Sequence, residues 1–383
     1  MDFRYADEHV QFADAVRRWA SQRYDFDTRQ AILATPAGTS TQAWRELAEL
    51  GALAAPLPEA FEGMGMRTLD LLPMLVELGR GMVAEPFQAT WLAARCIALS
   101  GGHPVLADVA AGQVHLAAAL GERDGRHDLM QVGTTARTRT GGYVLDGVKH
   151  AVVHGAQADH LVVSARTAGH GNDRDGLSLF LVPATAPGVR RTDAQSLDGQ
   201  RVATIELRGV QVDAQARLGS EGDAGSRIEA AADYGCALLC GEAVGLLERV
   251  HDDTLEYLKT RRQFGVPIGS FQVLQHRMAD MTTHLAQARS ITLLALAGVD
   301  GEDATVRRRQ VSAAKVRVGK AMRFVGQQGI QMHGGMGMTR ELAMTHAVRR
   351  MTAIELTLGD TEHHLRRFQA QAETPAAALQ VAA

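Results

Sequence analysis

The sequence predicts an α+β fold: an N-terminal helical domain (1–113), a middle antiparallel β domain (114–220) and a C-terminal four-helix bundle (221–372), followed by a flexible tail (373–383). Three observations predict it. Apolar residues recur at helical spacing in the first zone. Short β-rich runs between glycine turns replace them in the second, and long helical patterns return in the third.

In the first zone Ala43-Trp44-Leu47-Leu50 and Leu71-Leu72-Leu75-Val76-Leu78 fall on single helix faces, with Pro56, Pro58, Gly63 and Gly65 breaking the chain between them. In the second, strands are expected at Tyr143-Val144-Leu145, Leu161-Val162-Val163, Leu177 to Val182 and Thr204 to Leu207. Gly141-Gly142, Gly171-Asn172-Asp173 and Asp198-Gly199 separate them. That pattern reads as an antiparallel sandwich or barrel. In the third, Ser226 can cap a helix bearing Leu239, Ala243, Leu246 and Val250, and Ser270 can cap one bearing Leu274, Met278, Met281 and Leu285. A third helix is expected from about Asp303 to Gln331 and a fourth from about Asp360 to Ala370. Wide apolar faces on four helices imply a bundle, and part of that surface is expected to meet other subunits.

The composition narrows the partners. A net charge of -3 gives no electrostatic case for nucleic acid or an anionic membrane. Neither a basic n-region nor an apolar h-region is visible at the N-terminus, and no uncharged run reaches transmembrane length. Cys96, Cys236 and Cys240 lack metal-ligand spacing and read as small core residues, a usage that fits a reducing cytoplasm. No metal site is expected. His363 and His364 diverge by about 100° on a helix and read as part of a polar face.

Two stretches carry chemistry. Arg261-Arg262-Gln263-Phe264-Gly265 ends a helix and enters a turn. Guanidinium forks there suit phosphate oxygens, and the next helix adds free N–H groups at its start; a solvated Arg pair closing a helix reads equally well. Gln331-Met332-His333-Gly334-Gly335-Met336-Gly337 is a glycine-rich helix end. No strand precedes it, so it is not a dinucleotide fingerprint, and alone it is an ordinary C-terminal cap.

Together these stretches, with Val266-Pro267-Ile268-Gly269-Ser270-Phe271-Gln272, His276 to Met281, Trp44 to Gly51 and Leu57-Pro58-Glu59, resemble the acyl-CoA dehydrogenase family along nearly the whole chain. The resemblance implies FAD as cofactor, an acyl-CoA thioester as substrate and an electron-transferring flavoprotein as electron acceptor. It places Arg261, Gln263, Phe264, Ser270 and Phe271 in a clamp on a neighbouring subunit's FAD, with Gln331, Gly334 and Gly335 against the adenosine half. Other parts of the family pattern are missing. Where a Thr-Glu and a Gly-rich Ser-Asp turn are usual, Leu120 to His127 keep only Glu122. Where a Trp-Ile-Thr run backs the flavin ring, the chain reads Ala151-Val152-Val153, then His154-Gly155.

The family's reaction needs a carboxylate that removes the α-proton while the β-hydride moves to the flavin. Its usual position, downstream of Arg349-Arg350, falls on Leu358; the other known position falls on Gly235, beside Cys236. Asp360 is the nearest substitute, but it points to a different face and suits a helix N-cap. Glu355 and Asp233 are weaker candidates. Glu242 interrupts an apolar helix and reads as a paired structural acid at a subunit contact.

A retained clamp and a missing base resemble the small subunit of two-subunit bacterial enzymes, the pimeloyl-CoA type among them. This implies an α2β2 assembly with a larger base-bearing homologue. Two alternatives stand beside it: a homo-oligomeric flavoenzyme using Asp360 or oxygen chemistry, and a purely structural partner subunit.

Overall fold

The computed structural model describes residues 5–372, so the 373–383 tail lies outside the described residues. Six helices come first: α1 (Asp7–Arg23), α2 (Phe26–Leu33), α3 (Thr41–Glu49), α4 (Leu72–Arg80), α5 (Phe87–Leu99) and α6 (Val105–Ala110). The Ser40 hydroxyl caps α3 by accepting from the Ala43 N–H at 3.2 Å, and Trp44 and Leu47 on its inner face are buried.

Eight strands follow: β1 (Leu116–Ala119), β2 (Thr135–Arg139), β3 (Gly142–Val153), β4 (His160–Arg166), β5 (Leu177–Pro183), β6 (Val189–Gln195), β7 (Arg201–Asp213) and β8 (Arg217–Leu218). They form one sheet in the order β6-β7-β3-β2-β4-β5-β8, with β1 on β4. The sheet is antiparallel except that β1 runs parallel to β4 and β2 touches β4 in parallel at Thr135–Arg166. The expected strand runs all lie in this sheet. β1, β2 and β6 were not foreseen, because β2 and β6 are polar and largely exposed and β1 is a four-residue alanine-rich run.

The C-terminal part is built on α7 (Gly225–Thr260). A short hairpin of β9 (Arg262–Gln263) and β10 (Val266–Pro267) follows, then α8 (Gln272–Gly298), α9 (Ala304–His333), α10 (Ala343–Leu356) and α11 (Thr361–Ala372). α7 is long and apolar enough to cross a bilayer, but 89% of its most apolar window is buried in the protein, as befits a core helix. Against α4 the two backbones nearly touch: a Cβ on Gly245 would lie 2.0 Å from the Val76 carbonyl oxygen, so only glycine fits there. Cys96, Cys236 and Cys240 are buried and unpaired, as expected of core residues.

Three expectations for this part need correction. The helices number five among the described residues, because α10 was missed. Its sequence follows directly on the glycine-rich turn and has no side-chain cap to announce it. Ser226 lies inside the first turn of α7 and caps nothing. Ser270 donates to the Pro267 carbonyl at 2.7 Å instead of capping α8, whose first turn has no side-chain cap at all. Asp303 does cap α9, accepting from the N–H groups of Thr305 and Val306.

Candidate functional site

A cleft of about 390 Å³ lies where the three parts of the chain meet. Ala89 and Leu92 line it from α5, His150, Ala151 and Val153 from β3 and its end, and Arg350, Ala353 and Leu356 to Leu358 from α10 and its end. The walls are mostly apolar, and the polar groups gather at the floor. There Arg350 is buried and donates from Nε to Glu242 Oε1 at 2.6 Å and from Nη2 to Glu242 Oε2 at 2.9 Å. Its Nη1 reaches Asp198 Oδ2 at 3.0 Å and Gln200 Oε1 at 2.9 Å. Burial alone would lower the guanidinium pKa, but Glu242 and Asp198 outweigh it and hold the charge firmly in place. Glu242 is therefore a paired structural acid, but its partner is within the same chain and not across a subunit contact. Arg349 donates to the Leu197 carbonyl at 2.6 Å, so both arginines pin the β6–β7 turn to α10.

The two positions that would carry the base converge. A Cβ on Gly235 would stand 2.8 Å from Leu358 Cδ1. Leucine and glycine there offer no proton acceptor. Asp360, downstream, lines neither the cleft nor the pocket beside it. Its Oδ1 accepts from the His363 N–H at 2.7 Å as the cap of α11, and that bond first, with His127 and other positive groups helping, holds its carboxyl below the usual range. Glu355 accepts from the Thr361 N–H and hydroxyl, and Asp233 is paired with Arg307 and Arg367. His364 corrects the polar-face expectation: it is buried, its Nε2 donates to the Leu358 carbonyl at 3.0 Å, and burial together with Lys315 pushes its pKa down to about 2. The cleft residues the sequence did not single out, Asp198, Gln200, His127 and His150 among them, come from separate segments that only the fold brings together.

The clamp residues lie elsewhere. Arg261 ends α7, and Phe264-Gly265 form the hairpin turn with φ of +53° and +80°. Phenylalanine rarely takes this conformation, and Phe264 is 91% exposed. Its ring lies edge-to-face with Phe271, 6.1 Å between centroids. Arg261, Gln263 and Ser270 are exposed as well, and Arg261 makes no side-chain hydrogen bond among the described residues. Stacking of Tyr257 on His333, 4.3 Å between centroids, brings the end of α9 to the same corner. Gln331 is exposed there, and a Cβ on Gly334 or Gly335 would meet nothing within 4 Å. The cleft's Arg350 holds Glu242 in the middle of α7, and Arg261 lies at that helix's end, roughly 28 Å further along at the helical rise.

The two sites suit different parts of an FAD. The clamp corner offers an exposed guanidinium, open glycine backbone and the uncapped first turn of α8, all of which fit a diphosphate and adenosine. The cleft offers the ring neither an aromatic wall nor a hydroxyl at Ala151 to Val153. The Glu122 carboxylate is turned inward, accepting from Lys149 Nζ at 2.7 Å and from Gly133 and Thr134. The fit is to the nucleotide tail and not to the ring.

Helices before and after a single sheet make a three-part α+β scaffold, with an exposed arginine and open glycine backbone at one corner. Family models match in the same order: acyl-CoA dehydrogenase N-terminal domain at residues 6–104, middle domain at 117–212 and C-terminal domain at 226–372. Acyl-CoA dehydrogenase FadE27 of Mycobacterium tuberculosis is 30% identical over 87% of this chain and 88% of its own. Among solved structures, the ChsE4-ChsE5 complex from Mycobacterium tuberculosis superposes with a TM-score of 0.87 at 27% identity, covering 98% of this chain and 100% of that one. The FAD complex of PigA gives 0.88 at 25%, covering 97% and 99%. The chain belongs to the acyl-CoA dehydrogenase family, whose members are oxidoreductases with FAD as cofactor.

Proposed function

We propose that this chain is the small subunit of an α2β2 acyl-CoA dehydrogenase, completing the FAD site of a larger homologue that supplies the base and the acyl pocket. The observation that carries this is the contrast between the two base positions and the clamp: Leu358 and Gly235 offer no proton acceptor, while Arg261, Gln263 and the open backbone of Gly334 and Gly335 stay exposed for a nucleotide tail. Phe264 held in a strained, exposed turn is what a ligand clamp retains when a partner covers it. When bound, FAD accepts the hydride that leaves the thioester's β-carbon. The residues of this chain grip its diphosphate and adenosine and shield them from water.

That the structurally similar ChsE4-ChsE5 is a complex of two different chains supports the reading. Electrons then pass to an electron-transferring flavoprotein, and the assembly works in the cytoplasm in the catabolism of lipid or side-chain thioesters. The homo-oligomeric alternative draws little support from Asp360, whose carboxylate is engaged as a cap and held at low pKa.

Purified alone, the chain is expected to be nearly colourless and to dehydrogenate no acyl-CoA. Its visible absorbance spectrum and a dye-coupled assay read both. A yellow, stoichiometrically flavinylated preparation with strong activity would reject the subunit reading in favour of the homo-oligomer.

A further inference from the structure

Leu358 stands where two cavities meet. The cleft and a smaller outer pocket of about 250 Å³ share three lining residues: His127, Leu129 and Leu358. The outer pocket also carries charged groups, Glu229, Asp233 and Arg367, beside Met130, Ala232 and Cys236. Over Gly235 the partition is filled by two leucines. The point where a Cβ would stand lies 2.8 Å from Leu358 Cδ1 and 3.1 Å from Leu92 Cδ1. The leucines sit so close over Gly235 that not even a methyl group fits between it and them.

The partition is held from behind. Leu358 has a φ of +56°, and buried Lys315 donates to the Ile354 and Thr357 carbonyls, each at 2.9 Å. The His364 ring holds the Leu358 carbonyl, and the Cys236 thiol faces the same oxygen at 3.6 Å. Asp233 of α7 holds Arg367 of α11 at 2.6 Å and Arg307 of α9 at 3.0 Å, and Glu229 of α7 pairs with Arg174 at 2.6 Å and with Arg308 of α9, so the pocket wall is tied to α7 from two helices. Opening this side means breaking buried charge pairs.

The geometry points to Leu358 as a blocking residue that shuts the cleft to any long ligand entering by the outer pocket, so that this chain excludes the acyl-CoA thioester. This inference rests on the small-subunit reading and gives it a physical device. A CoA thioester carries its acyl group on a thin arm attached to a bulky nucleotide. It needs a continuous passage from surface to cleft, and here Leu358, packed with Leu92 over Gly235, interrupts that passage. The thioester of the assembly is then taken only by the larger chain.

The test is calorimetric titration of the full chain with octanoyl-CoA. Wild type is expected to show no saturable binding. Leu358→Gly removes the partition and suits the positive φ without strain. It is expected to bind at least ~10-fold more tightly than wild type. Leu92→Ala opens the same gap from the other wall and covers the case in which Leu358→Gly misfolds. Saturable binding by either variant, with an unchanged circular dichroism spectrum, supports the inference. Stoichiometric binding by wild type overturns it, and so do two well-folded variants that bind no better than wild type. The outcome is separable from that of the subunit reading, which is decided by flavin content.

Discussion

Replacing Arg350 with alanine should destabilise the chain by about 3–5 kcal/mol, the usual cost of removing one member of a buried ion network. The guanidinium is the single positive group shared by Glu242 and Asp198, and it also bonds Gln200. Gln88 of α5 completes the junction, donating to Glu242 Oε2 at 3.1 Å. Without Arg350, two buried carboxylates on α7 and the β6–β7 turn lose their counter-charge, and the contact among helices, sheet and bundle loosens together. A drop in thermal midpoint of roughly 4–6 °C follows, measurable by circular dichroism. Arg350→Lys should recover only part of it, because an ammonium cannot make the forked bond to Glu242. A change below about 1 kcal/mol would mean that the network is incidental.

The second large effect concerns the clamp. In a complex purified with its larger homologue, Arg261→Ala should weaken FAD binding by about 1.5–3 kcal/mol, the range for a hydrogen bond to a charged group. That is roughly 10- to 150-fold in Kd. Dialysis followed by flavin absorbance reads it directly. Folding should be unaffected, since Arg261 is exposed and makes no side-chain hydrogen bond among the described residues. Arg261→Lys should fall between, retaining charge but losing the fork. An unchanged FAD content in the alanine variant would favour a purely structural role for this chain.

How much of this was legible in the sequence depended on whether the information was local. The proposed clamp is local: Arg261 to Gly265 and Gln331 to Gly335 are contiguous runs whose residue types suggest it. The strongly periodic helices and the buried strands β4 and β5 were legible for the same reason. Exposed strands such as β6, with the sequence Val-Arg-Arg-Thr-Asp-Ala-Gln, carry no apolar alternation and were invisible. The cleft is not local. Leu92, Ala151, Asp198 and Arg350 are scattered over most of the chain, and only the packing of three domains assembles them. The empty base position was readable by counting to Leu358. That Gly235 lies against it, so that both vacated positions close on one another, needed the fold. Cap assignments were mixed: Asp360 caps as expected, whereas Ser226 lies inside its helix and the Ser270 hydroxyl finds a nearer carbonyl at Pro267.

The central claim is that one polypeptide grips a flavin that another polypeptide uses. Counting flavin against protein in the complex of the two unlike chains decides it, by absorbance and by the mass of the intact assembly. One FAD for each pair of unlike chains is the expected ratio. One FAD in every chain, this one included, would contradict it.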